Sequence, residues 1–186
     1  MITFRALLAT LAVLLLTACS DTQTISQKDV AALAQHLRAL GPEVDPAEAQ
    51  RAAEISYSYG RQLAREYNVT SSPIVHNAKV LNGFRERGLC VHYAQDTQKR
   101  LNQENFRTLV VHRAIADPDS IWRIDHSTAI LSRRGDDMFD GIVLDPWRYG
   151  GDLFWAPTRE DTRYNWRPQR EVLEKKAAEK LARQPS

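Results

Sequence analysis

The spacing of apolar residues changes once along this chain, and that change restricts the fold class. Up to about residue 101, apolar side chains recur every three or four positions, as in helices with one buried face. Start and stop signals, such as Asp45 with Pro46 before the second segment and Gly41 after the first, divide this region. The sequence predicts helices over residues 26–40, 46–67 and 77–87, and a fourth that begins close to Cys90.

From residue 106 onward the pattern is that of strands. Apolar and β-branched residues fill 106–115, 123–131 and 141–144, and a short edge strand is expected over 153–156. A charged helix over residues 168–184 closes the chain. Helices that precede a run of strands indicate the α+β class, with N-terminal helices packed on a mainly antiparallel sheet. We expect a single domain over residues 26–186.

The first 25 residues have a different character. Arg5, an apolar run over residues 6–16 and small residues before Cys19 form the layout of an export signal. The run is too short to span a bilayer, which takes about 20 apolar residues. Leu16-Thr17-Ala18-Cys19 resembles the lipobox of bacterial lipoproteins. That resemblance implies cleavage after residue 18, lipid on Cys19 and a tether over residues 19–25; the alternative is an ordinary signal that happens to end in Cys.

Lipidation of Cys19 would fix where the protein works. Two or more acyl chains anchor a protein to a membrane almost permanently. Ser20, directly after the lipobox, resembles the sorting context of outer-membrane lipoproteins. We therefore expect a cell-envelope protein held to the outer membrane and facing the periplasm. The net charge of +2, with acids and bases interspersed, argues against a nucleic-acid partner.

Cys90 is the second of the two cysteines. If Cys19 carries lipid, Cys90 has no intramolecular partner in a compartment where disulfides normally form. It falls near a predicted helix N-terminus, where free N–H groups and the helix dipole favour a thiolate and can serve an oxyanion. The competing interpretation is a small core residue that faces Ala94 and Leu101.

A hairpin would bring His126 near Asp145. If residues 123–131 and 140–145 are its two arms and the turn is centred near Gly135 and Asp136, ungapped pairing places these two residues directly opposite each other. A bulge in the loop would shift the register by one or two residues. Alternatively, His126 is a hydrogen-bonded core residue and Asp145 starts a turn before Pro146.

Other candidate site residues carry weaker signals. Trp147 follows Asp145 and is expected to line a substrate cleft, or else to pack in a corner of the sheet. Cys90, His92, His112 and Asp125 lack the close spacing of familiar zinc sites, so we expect no metal and no cofactor.

The order of these segments resembles the transglutaminase-like superfamily, whose site is related to that of papain. The resemblance rests on Gly88-Leu89-Cys90 with Tyr93-Ala94, then His126, then Asp145-Pro146, and covers about residues 83–150. It implies a Cys at the head of a helix packed on an antiparallel sheet, with Cys90 as nucleophile, His126 as base and Asp145 as orienting acid. One departure is Thr128, since many members have an aromatic residue there. The second oxyanion donor is open, with Trp147 and Asn77 as candidates.

Two functional hypotheses follow. The first is a lipid-anchored thiol enzyme that hydrolyses or transfers the acyl group of peptide or protein amides through a Cys90 thioester. The second is a non-catalytic lipoprotein that uses the same fold as a binding or scaffolding module. Nothing in the sequence selects a particular substrate.

Overall fold

The computed structural model describes residues 25–116 and 125–183. The predicted signal peptide, Cys19 and nearly all of the tether lie outside these ranges, as do residues 117–124 and 184–186. The described residues form five α-helices: α1 (Gln27–Arg38), α2 (Pro46–Glu66), α3 (Pro73–Leu81), α4 (Cys90–Asn102) and α5 (Gln169–Ala182). None of these helices combines the length and the hydropathy needed to cross a bilayer.

The same residues form one five-stranded sheet. Its strands are β1 (Leu109–Ala116), β2 (His126–Arg133), β3 (Ile142–Tyr149), β4 (Asp152–Pro157) and β5 (Trp166–Pro168). They lie in the order β4-β3-β2-β1-β5, and each neighbouring pair is antiparallel. The predicted α+β class and the antiparallel sheet are therefore confirmed.

The main core lies between the α1–α2 pair and the sheet. Asp45 caps α2 by accepting hydrogen bonds from the N–H groups of Ala47 (2.7 Å) and Glu48 (3.3 Å), with Pro46 in the first turn. The apolar stripes of the two helices then pack on the sheet. The buried side chains of this core include Leu33, Leu37, Ala49, Ala52, Leu131, Ile142 and Leu144.

The predicted third helix was misplaced. It was expected over residues 77–87, whereas α3 spans Pro73–Leu81. Pro73 suits the first helical turn because its φ is already helical and its missing N–H would have no partner there. Gly83, at φ +77°, adopts a left-handed conformation just after the end of the helix.

The third strand is longer than predicted. It was expected to end at Leu144 before Pro146, but β3 continues to Tyr149. Its pairing with β4 is irregular between Asp145 and Tyr149, where Pro146 interrupts the ladder. Proline has no N–H to donate, so it is tolerated at such an irregularity.

Helix α2 crosses β3 at a point with no room for a side chain. A Cβ on Gly60 would lie 2.7 Å from the Cβ of Pro146 and 2.8 Å from the carbonyl oxygen of Gly151. Gly151 has φ +116°, and a Cβ there would lie 2.4 Å from that of Ala64. The two glycines therefore let α2 press directly on the segment that follows Asp145.

Gly60→Ala should destabilise the protein by about 1–3 kcal/mol, because the added methyl forces α2 away from Pro146. In an exposed helix the same change stabilises by about 1 kcal/mol. Urea unfolding measures the free energy, and Ser58→Ala on the exposed face of α2 is the control. A Gly60→Ala protein as stable as the control would show that the close approach is not required.

Candidate active site

Cys90, His126 and Asp145 meet at one end of the sheet. Cys90 is the first residue of α4, His126 the first of β2, and Asp145 lies within β3. The ring Nε2 of His126 lies 2.6 Å from Oδ2 of Asp145. The Cys90 side chain is also hydrogen-bonded to His126, and since Nε2 is occupied, this leaves Nδ1 for the thiol. The structure thus brings all three predicted residues together.

His126 and Asp145 meet through a register that differs from the predicted one. Ala129 pairs with Leu144 rather than with Ile142, so direct opposition of His126 and Asp145 is wrong. The 3₁₀ turn Met138–Asp140 lies in the loop just before β3, so β3 pairs with β2 through residues two positions later than an ungapped hairpin would use. The shift is by two residues, which preserves the alternation of faces and leaves Asp145 diagonal to His126 and within reach.

The thiol is placed by a well-packed turn. Gly88 has φ +119°, and a Cβ there would lie 2.2 Å from Nε2 of His76. That nitrogen donates to the carbonyl oxygen of Arg87 at 2.9 Å. The N–H groups of Gly88 and Leu89 both point at Nδ1 of His92, at 3.1 and 3.3 Å. The turn before Cys90 is therefore held from both sides.

The backbone N–H of Cys90 is free at the start of α4. No described residue accepts a hydrogen bond from it, as expected at the first position of a helix. Sγ itself lies 3.6 Å from the carbonyl oxygen of Asp125, next to His126 in the chain. The start of α4 can therefore stabilise negative charge on sulfur or on an oxygen bound beside it.

Aromatic rings enclose His126. Its ring centroid lies 4.8 Å from that of Trp147, 4.4 Å from Tyr164 and 5.4 Å from Trp166. His126 is 3% exposed, Asp145 1% and Cys90 7%. The pair of ionisable groups is thus shielded from water, which strengthens the interaction between them.

The pKa of His126 is about 9. Burial lowers it, but the Asp145 carboxylate and the Cys90 side chain together raise it well above its ordinary value. The ring is therefore protonated at neutral pH. The arrangement holds the charged ring between the Cys90 side chain and the Asp145 carboxylate.

A buried arginine completes the site, and the sequence did not reveal it. Arg148 donates from its backbone N–H and its Nε to the two oxygens of Asp145, at 3.2 and 3.0 Å. Its Nη groups reach Asp161 at 3.1 and 2.7 Å, and Trp166 donates to Asp161 at 2.9 Å. The spacing of three residues between Asp145 and Arg148 is a signal for that pair, but no sequence signal pointed to Asp161.

The side chain of Trp147 is packed beside the site and is only 9% exposed. It packs in the cluster that contains Cys90 and Tyr93, and its Nε1 donates to Oδ1 of Asn77 at 3.2 Å. This bond fixes the amide so that Nδ2 of Asn77 points away from the indole. Nδ2 makes no hydrogen bond within the described chain, and it is not sealed from solvent.

The residues considered for zinc have other roles. His92 accepts from the turn before α4, His112 bonds Ser132 Oγ at 2.8 Å, and Asp125 pairs with Lys176. Within residues 25–116 and 125–183 no group of three or more His, Cys, Asp or Glu side chains could hold a metal ion.

A comparison with protein-family models, with curated proteins and with solved structures finds no significant match for this chain.

Asp145→Asn should alter how stability depends on pH. Because the folded-state pKa of His126 is raised from 6.5 to about 9, its stabilising contribution is complete below about pH 6.5 and is lost as pH rises through 9. The free energy of unfolding should therefore be higher in the wild type than in the variant. This difference should be largest at about pH 6.5 and should become smaller towards pH 9. Urea unfolding across this range measures it.

Asp140→Asn is the matched control, since Asp140 is an exposed carboxylate paired with Arg159. Its difference from the wild type should stay small throughout. A constant gap for Asp145→Asn as well would mean that the pKa of His126 is not raised by this carboxylate.

Proposed function

We propose that this protein is a thiol enzyme that attacks amide bonds through Cys90. The observation that carries the proposal is the hydrogen-bonded chain from the Cys90 thiol through His126 to Asp145, with the thiol at the first residue of α4. A buried imidazolium next to a thiol at a helix N-terminus has few purely structural uses, because each feature favours charge on sulfur.

The proposed reaction begins with the thiolate of Cys90, whose proton His126 has taken. The thiolate attacks the carbonyl carbon, a C–S bond forms, and the π electrons of the carbonyl move onto oxygen. His126 gives its proton to the leaving nitrogen, the C–N bond breaks, and a thioester remains. Water or a second amine then attacks the thioester, His126 takes the proton of that nucleophile, and the C–S bond breaks. Asp145 orients the ring and stabilises its charged form.

Two donors are proposed for the oxyanion. One is the free backbone N–H of Cys90, and the other is Nδ2 of Asn77, whose amide orientation is set by Trp147. Donors fixed in a water-poor site stabilise a developing charge more than solvent does. Asn77 would then be a catalytic residue, with Trp147 as its positioning residue.

The transglutaminase-like core also belongs to the proposal. The Cys at the head of a helix, the antiparallel sheet and the His and Asp on neighbouring strands support it. We further propose a peptide or protein amide of the cell envelope as substrate. Anchoring through lipid on Cys19 to the outer membrane, on its periplasmic side, completes the proposal.

The competing function is a non-catalytic binding or scaffolding lipoprotein. It is favoured by the exposure of Cys90, which at 7% leaves little of the thiol open to a substrate. The two functions differ in what they predict for thiol reactivity.

Alkylation of Cys90 by iodoacetamide should depend only weakly on pH between 6 and 8. The protein beginning at Ser20 suits this test, since it keeps every described helix and strand and has Cys90 as its one thiol. An ordinary thiol, with a pKa of about 8.5, loses nearly tenfold in rate per unit below that value. His126→Ala should restore this steep dependence. A steep profile already in the wild type would favour the binding module.

Asn77→Asp should lower the rate of acylation of Cys90 much more than the rate of its alkylation. The carboxylate still accepts from Trp147 but cannot donate to an oxyanion. Acylation by p-nitrophenyl acetate passes through a tetrahedral oxyanion, whereas displacement by iodoacetamide does not. We expect the ratio of the two rates to fall about 100-fold.

Asn82→Asp, with the same charge change at the end of α3, should leave that ratio unchanged. An unchanged ratio in Asn77→Asp would exclude Asn77 as the donor while leaving the role of Cys90 intact.

A further inference from the structure

Helix α3 has an apolar outer face that no described element covers. Its inner side buries His76 and Asn77, which contact the turn before Cys90 and Trp147. On its outer side Ile74, Val75 and Leu81 are 61, 49 and 72% exposed, and Phe84, just beyond the helix, is 73% exposed. We call these four residues the α3 face.

The α3 face forms one patch rather than scattered residues. Positions 74, 78 and 81 recur at helical spacing, and position 78 is an exposed alanine. Val91, next to the nucleophile, is also 38% exposed. Contiguous exposed apolar surface of this kind marks a site of contact with a membrane or with another molecule.

Cations flank the α3 face. Lys79 donates to Ser71 and Arg85 donates to the carbonyl oxygen of Phe84, but neither has a carboxylate partner among the described residues. Glu86 is the one acid in residues 73–91. Apolar side chains next to cations suit the boundary between acyl chains and anionic headgroups.

The start of α1 lies beside the middle of α2. Ile25 packs on the main core, and Asp29 in the first turn of α1 is an electrostatic neighbour of Tyr57, midway along α2. The remaining length of α2, up to the end that precedes α3, is about 14 Å. Six Cα-to-Cα steps separate Cys19 from Ile25, and an extended chain of that length spans up to about 20 Å. A lipid on Cys19, as predicted from the lipobox, would thus have the reach to enter a bilayer on which the α3 face rests.

We propose that the α3 face docks on the surface of an anionic lipid bilayer, and that it holds the Cys90 site at the membrane. The contact is independent of catalysis. The rival surface is α5, which also exposes Leu173 and Leu181. Acids on this helix, however, pair with cations on it or just before it, in Arg167–Glu171, Arg170–Glu174 and Lys175–Glu179. Such a helix is typical of a solvated face.

Cosedimentation with vesicles tests the proposal in the protein beginning at Ser20, which has no acyl chains. It should bind vesicles of phosphatidylcholine with phosphatidylglycerol more tightly than vesicles of phosphatidylcholine alone. Phe84→Glu should weaken binding at least about tenfold, because one buried phenylalanine contributes more than that factor.

Leu181→Glu is the matched control, with the same charge change at a residue that is 69% exposed. It should bind like the wild type, as should Cys90→Ala, which separates docking from catalysis. Absence of binding by the wild type would overturn the proposal. So would equal binding to both kinds of vesicle, or a loss in Leu181→Glu as large as in Phe84→Glu.

Discussion

The buried carboxylate of Asp145 is the interaction on which this site depends. At 1% exposure it would be strongly destabilising without partners, since an unpaired buried charge costs several kcal/mol. His126 and Arg148 together satisfy both oxygens, and Arg148 is held in turn by Asp161. Each side chain in this chain of contacts is fixed by the next, so the imidazole has one orientation.

The scaffold brings the thiol to that fixed imidazole. Helix α2 presses on β3 at Gly60 and Pro146, next to Asp145, and helix α4 begins where β2 begins. The position of Cys90 relative to His126 therefore depends on two contacts, the packing of α2 on β3 and the approach of the start of α4 to the start of β2. A change in either contact would move the thiol relative to the ring, and thiol chemistry is sensitive to displacements of about 1 Å.

Helix α3 connects the site to the surface of the molecule. Its inner residues His76 and Asn77 touch the turn before Cys90 and the indole of Trp147, while its outer residues form the apolar α3 face. Binding at that face would therefore rest directly on the segment that positions Cys90. In the proposed enzyme, docking at a membrane and presentation of the thiol use the two sides of one short helix.

The sequence by itself determined the α+β class, the approximate place of the larger elements and the three residues that meet at the site. It did so because apolar periodicity reflects burial on one face, and because a hairpin fixes which residues share a face even when its register shifts by two. It misplaced α3, where Pro73 and Gly83 outweigh a weak apolar pattern. Only the tertiary structure decided that Arg148 and Asp161 buttress Asp145 and that Trp147 orients Asn77. Asp161 lies 13 residues beyond Arg148, and the pairing of buried charges so far apart depends on packing in three dimensions that leaves no periodic trace in the chain.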